Sequence, residues 1–179
     1  MADGLFYVDH RMPFISADAA SVTLAPTNKA IVPIANLPIL GSNYFNYVGK
    51  ALRIRIHGRY INGATPGLIL YSLVFGSGAD NVGTTLASVN TTGIVNIASR
   101  MWLLECVVRC RSMGSSGSLF TSGLLFLAGT GQFGFPDATP SAVTVDLTAA
   151  NTVITFQANR SGSTAESMQV HDVLYEALN

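Results

Sequence analysis

Charge is the first thing this sequence lacks. Only 11% of its 179 residues are charged, ten basic and ten acidic, so the formal net charge is zero. An average soluble domain is about 25% charged, roughly 45 residues in a chain this long. Surface scaling gives a folded chain of 18.9 kDa about 8,000 Å² of accessible surface, so the charges are thinly spread. A chain that is 49% hydrophobic is not a disordered one, which needs low hydrophobicity and high net charge. The missing basic excess argues against a general nucleic-acid binder. Extended apolar surface usually marks an interface, so a lone monomer is disfavoured and other protein chains are the expected surroundings.

Other absences narrow the class further. No apolar stretch approaches the 18 residues or so of a membrane-spanning helix. The N-terminal stretch MADGLFYVDHRMPFISADAA has acids first and no cationic segment leading an apolar run, so it does not read as a signal peptide. Cysteine is limited to Cys106 and Cys110. In a strand they would stand about 13 Å apart, beyond the 7 Å or so a disulfide tolerates. They share a face with Trp102, Leu104 and Val108 and read as buried thiols, in keeping with assembly in a reducing cytoplasm.

Helical periodicity is also missing, since apolar residues never recur at helical spacing for more than about two turns. β signals fill the chain. Glycine (17) and proline (7) punctuate it, with turn sequences at 62–63, 76–78, 115–117, 129–131 and 160–163. In KALRIRIHGRYI (50–61), Leu52, Ile54 and Ile56 point one way and Arg53, Arg55, His57 and Arg59 the other. LILYSLVFG (68–76) is apolar on both faces, as in a strand covered on both sides. RMWLLECVVRCRSM (100–113) is apolar at even positions, with Glu105, Arg109 and Arg111 opposite. SLFTSGLLFLAG (118–129) follows it across a GSSG turn as a hairpin. Residues 77–99 read as a polar loop, and GQFGFPDATP as a loop before a short AVTVDL strand. TVITFQANR and MQVHDVLYEAL close the chain. Pro26, Pro33 and Pro38 confine the strands of 19–40 to edges or strand starts. The pattern predicts an all-β fold, a two-sheet antiparallel jelly-roll-like sandwich of about 8–10 strands over residues 19–179. Residues 1–18 read as an extended N-terminal docking arm, with Phe6, Tyr7, Arg11 and Phe14 as candidate partner contacts.

Signals for catalysis are weak. His10, His57 and His171 lack metal-ligand neighbours at His-x-His or HExxH spacing. No nucleophile elbow or P-loop occurs, and no carboxylate pair can be nominated for glycoside hydrolysis. His171 and Asp172 are adjacent on a strand and so face opposite sides. Asp80, Asp137 and Asp146 could bind a cation in loops, but no Asp-x-Asp cluster supports a site. No catalytic residue, metal or cofactor is expected. The Arg53, Arg55, His57, Arg59 stripe admits three readings: an anion or nucleic-acid contact, a solvated or cross-strand-paired polar face with Glu105 and Arg109 on a neighbouring strand, or an intersubunit face. Tyr44, Phe45, Tyr47, Phe133 and Phe135 could stack on a glycan, although aromatic loops more often anchor interfaces.

The segments VGKALRIRIHGRYINGATPGLILYSLVFG (48–76), RMWLLECVVRCRSMGSSGSLFTSGLLF (100–126) and MQVHDVLYEAL (168–178) resemble small virion structural proteins of tailed bacteriophages, of the jelly-roll head decoration (cement or minor capsid) type. The resemblance spans about residues 30–178 and departs from the family at Cys106, Cys110 and the aromatic arm. It implies a non-enzymatic subunit that forms a homotrimer. Such a subunit binds the assembled lattice of major capsid protein on the outer surface of the head and stabilises it. It implies no catalytic residues, and neither nucleic acid nor membrane is expected as a partner. A tail or fibre-tip component that binds host glycan through 77–99 and 130–140 is the alternative. A glycan hydrolase is the most plausible enzymatic reading.

Overall fold

Strict alternation builds the larger of two sheets. In Ala51–Ile61 (β3), Leu52, Ile54 and Ile56 are buried while Arg55 and Arg59 are exposed. Arg100–Ser112 (β6) repeats the pattern, burying Trp102, Leu104, Cys106, Val108 and Cys110. A pleated strand turns successive side chains to opposite faces, so a period of two yields one wall of a core and one outer face. The computed structural model describes residues 19–40, 44–65, 67–92, 98–162 and 166–178. The remaining strands among them are Val22–Thr23 (β1), Lys29–Ala30 (β2), Leu68–Gly76 (β4), Thr84–Thr92 (β5), Gly117–Leu127 (β7), Gly131–Phe135 (β8), Ala142–Val145 (β9), Val153–Arg160 (β10) and Ser167–Leu178 (β11).

Pairing follows one long folded ribbon. β1 pairs with β11, β2 with β10, β3 with β6 and β4 with β5, all antiparallel. Rolling that ribbon brings β11 beside β3 and β10 beside β4. The resulting orders, β1-β11-β3-β6 and β2-β10-β4-β5, are those of a jelly roll, two Greek keys in facing sheets. β7, β8 and β9 widen the first sheet beyond β6. The expected all-β jelly-roll-like sandwich is present, with eleven strands among the described residues.

Two segments expected to be loops are strands. β5 lies inside 77–99, where its Thr, Ser and Asn content resembles a loop. It buries Leu86, Val89 and Thr91 inward and carries polar groups outward. Threonine, being β-branched, suits such a half-buried surface. β8 has two glycines in five residues, yet it pairs with β7 from Gly131↔Leu127 to Gly123↔Phe135 and buries Phe135. Backbone pairing holds it where side-chain pattern is nearly silent.

The core lies between the sheets, and an aromatic stack crosses it. Phe156 of β10 stacks on Tyr71 of β4, with centroids 5.9 Å apart and planes at 6°. It also stacks on Trp102 of the facing sheet at 5.3 Å and 29°. Tyr175 ties the sheets again, its hydroxyl donating to Ile154 O at 2.8 Å. The Trp102 indole N–H donates to Arg59 O at 3.2 Å and Gln169 O at 3.3 Å, beside the β-bulge between Val170 and Asp172. Gly58 makes that approach feasible, because a Cβ there would lie 1.8 Å from Gln169 O.

Both cysteines are buried and free, and burial raises both thiols, Cys106 to about 12. At the other end of β11, buried Glu166 meets Arg160 at 3.3 Å. Arg160 Nε also donates to Leu24 O at 2.7 Å, and Leu24 N donates to Glu166 O at 2.8 Å. This buried pair clamps the chain after β1 to the β10–β11 connection.

Phe156→Ala should remove the centre of the stack and leave a cavity, costing about 3–5 kcal/mol. Urea unfolding checks it: the midpoint should fall with an unchanged slope. A loss below about 1 kcal/mol would show that the sheets do not depend on the stack.

Candidate functional site

The outer face of the larger sheet gathers the residues singled out from the sequence. Arg53, Arg55, His57 and Arg59 do share one face of β3, the side away from the core. Arg53 pairs with Glu176 at 2.9 Å. His57 Nδ1 lies 3.8 Å from Asp172 Oδ2. Arg59 Nε donates to Gln169 Oε1 at 2.5 Å. All three partners belong to β11, not to β6 as the sequence suggested. The register explains this: Glu176 and Asp172 stand directly opposite Arg53 and His57, while on β6 those positions face Val107 and Leu103. Asp172 therefore serves a histidine on another strand instead of its neighbour His171. Arg55 stands between Leu174 and Glu105 and joins no ion pair among the described residues.

Beyond β3 the face turns apolar. Leu103 and Val107 of β6 and Leu124 and Phe126 of β7 are half-buried, and Met101 is 51% exposed. Arg109 is exposed opposite Phe120, and the Arg111 guanidinium lies 4.7 Å from the Phe120 ring centroid, a cation–π contact. Five arginines (53, 55, 59, 109, 111) thus share the face with Glu105, Asp172 and Glu176. A wide sheet face of half-buried leucine, valine and phenylalanine, bordered by arginines, has the composition of a protein–protein interface.

Other candidates separate. Phe6, Tyr7, Arg11 and Phe14, like His10, lie outside the described residues. Phe45 and Phe135 are buried in the core, which removes them as glycan platforms. Tyr44 packs edge-on against Phe45, with centroids 4.9 Å apart at 87°, and burial pushes its hydroxyl up to about 12. Lys50 lies over Tyr44 at 4.5 Å and Tyr47 at 5.8 Å, and desolvation lowers its pKa. Among the described residues no group of three His, Cys, Asp or Glu is placed to hold a metal. A shallow cleft of about 170 Å³ runs between Thr85–Ser88 and Pro136–Ser141 and is lined by no titratable group.

The loop aspartates bind backbone and side-chain groups within the chain. Asp80 accepts Ala30 N at 2.8 Å and Lys29 Nζ at 2.8 Å. Asp137 accepts Asn90 N at 3.3 Å while its own N–H donates to Ser88 O at 3.2 Å. Asp146 accepts Thr148 N at 2.8 Å and Thr148 Oγ1 at 2.6 Å, closing a turn. Asp172, within β11, accepts Val173 N at 2.9 Å. For Asp80 and Asp137 no sequence signal marks the role, because their partners lie 47 to 51 residues away and only the fold brings them near, whereas Asp146 and Asp172 bond to groups one or two residues along the chain.

No protein-family model matches the chain, and no curated protein matches it in sequence. Among the described residues no helix is long and apolar enough to cross a membrane.

The Asp80 contacts, first the Lys29 side-chain bond and then the Ala30 amide, hold its carboxyl below the ordinary value of 3.8. A carboxyl lowered by folding stabilises fully above the ordinary range and loses that stabilisation as pH falls through the lowered value. With both partners about half exposed the effect is small, under about 1 kcal/mol. Thermal melts between neutral pH and pH 3 should therefore show a smaller acid-induced loss for Asp80→Asn than for wild type. Equal losses would refute the assignment.

Proposed function

We propose that this chain is a non-enzymatic structural subunit of a phage virion. It forms a homotrimer and decorates the outer surface of the head by binding the assembled lattice of major capsid protein. The observation that carries self-association is the outer face of the larger sheet. There Arg55 and Arg109 stand exposed without ion pairs among the described residues, beside half-buried Leu103, Val107, Leu124 and Phe126. Burying such a face around a rotation axis removes apolar area from water and offers each arginine a carboxylate on the neighbour.

The jelly-roll order of the strands supports the head-decoration reading, as does the likeness of segments 48–76, 100–126 and 168–178 to that family. A subunit that binds assembled capsomers in preference to free ones stabilises the shell by mass action. The arm, residues 1–18, is the contact to the shell in this reading, through Phe6, Tyr7, Arg11 and Phe14. Of the intersubunit stripe first suggested, Arg53, His57 and Arg59 already have partners on β11. Arg55 with Arg109 therefore carries the contact between copies.

Two experiments test the two halves separately. Arg55→Glu with Arg109→Glu should shift the isolated protein from trimer to monomer in sedimentation, with its melting temperature otherwise preserved; a double variant that remains trimeric sinks the face assignment. Deleting residues 2–18 should leave a folded trimer that no longer decorates purified heads. Truncated protein that labels heads with unchanged affinity would remove the arm from the contact, and wild-type labelling over tails would overturn the head position.

A further inference from the structure

A sheet edge presents unpaired backbone groups and invites another strand. A two-sheet sandwich has such edges on both sides of each sheet, and this chain leaves several of them beside polar loops. β2 is one edge of the smaller sheet. Ile31 N donates inward to Phe156 O at 2.9 Å, so the amide of Ala30, one residue earlier, turns outward. Asp80 Oδ1 takes it. β5 is the opposite edge. Asp137 N donates to Ser88 O, which places Ser88, and with it Asn90, toward the outside, and Asp137 Oδ2 takes the Asn90 amide.

In the larger sheet, among the described residues β1 covers β11 at Met168 and Ser167, with Ala19 N reaching Val170 O at 3.0 Å. Beyond the bulge the Val173 amide is taken by Asp172 Oδ1 at 2.9 Å, on the side of β11 away from β3. The remaining edge is formed by β8 and β9, five and four residues long, and short edge strands are themselves a poor template for pairing. Three of the chain's seven aspartates thus meet an outward amide at three separate edges.

We propose that Asp80, Asp137 and Asp172 are edge guards. Each occupies the donor that an incoming strand would need, so two copies cannot join edge to edge into a continuous sheet and are left to meet through the outer face. The occupant excluded is a second copy of this chain, whose own β5 or β11 is the nearest complementary strand. The inference concerns the isolated protein and holds whichever partner the face takes.

The test compares two triple variants of the full chain. Asp80, Asp137 and Asp172 all changed to Ala removes the acceptors. The same three changed to Asn removes the charge but keeps an acceptor oxygen. The Ala chain should exchange the amides of Ala30, Asn90 and Val173 about tenfold faster. It should also sediment as a concentration-dependent series of species larger than wild type. The Asn chain should match wild type in both measurements. Wild-type exchange and sedimentation in the Ala chain would overturn the proposal. Polymerisation of the Asn chain would overturn it too, since charge and not the capped amide would then be the guard. Should the Ala triple fail to fold, Asp137→Ala alone, at an exposed loop position, is read at Asn90 and by sedimentation under the same criteria. Failure of the face assignment is distinguishable, because Arg55→Glu with Arg109→Glu reduces association without quickening these three amides.

Discussion

Phe156 lies against Tyr71 of its own sheet and Trp102 of the facing one, and most of the structure is arranged around keeping it there. A sandwich holds together only where side chains from both sheets interdigitate, and aromatic rings bury the most area per residue. Trp102 has a polar edge that must be satisfied when buried. Its N–H finds two carbonyls where β3 and β11 meet, at Arg59 and Gln169. That meeting requires a glycine at 58 and a bulge in β11. The bulge in turn places Asp172 opposite His57 and next to the Val173 amide. One ring contact in the core is thus linked through a hydrogen bond and a bulge to the polar face and to a sheet edge.

The scarcity of charge takes on a definite shape in this fold. The charged residues are not spread evenly over the surface. Five arginines and three acids stand on one sheet face, Arg160 with buried Glu166 clamps the β10–β11 end, and Asp80, Asp137 and again Asp172 accept amides of edge-side strands. The rest of the described surface is largely threonine, serine, asparagine and glycine with half-buried leucine and valine between, broken by Lys29, Lys50, Arg100 and Asp146. Such a surface is poorly protected against association. The edges are where uncontrolled association is most damaging, and carboxylates are placed there. The face of the larger sheet is broad, and arginines 53, 55, 59, 109 and 111 stand there.

The sandwich itself was legible because hydrophobic alternation is a local property. The periods in 50–61 and 100–113 state which face is inward without reference to any partner, and the turn sequences between them set antiparallel order. β5 and β8 were not legible for the same reason. Their side chains say little, and they are strands because β4 and β7 offer them a ladder of backbone partners, a condition outside their own sequence. The arginine stripe was visible as a stripe. Its partners on β11 were not legible, because register between β3 and β11 is fixed by a bulge that no residue in either strand announces.

The sequence by itself determined the class of fold, the inward face of its long strands and the buried state of Cys106 and Cys110. All of these follow from composition and period. Only the tertiary structure decided that Arg53 and His57 answer to acids on β11, that Phe45 and Phe135 belong to the core, and that Asp80, Asp137 and Asp172 spend their oxygens on edge amides. Most of these pair residues far apart in the chain, and the contact of Asp172 with the Val173 amide depends on the bulge in β11. Hydrogen-bond geometry reaches about 3 Å, whereas the sequence separations involved run to 123 residues for Arg53 and Glu176. Contacts of that kind exist only once the ribbon has rolled up.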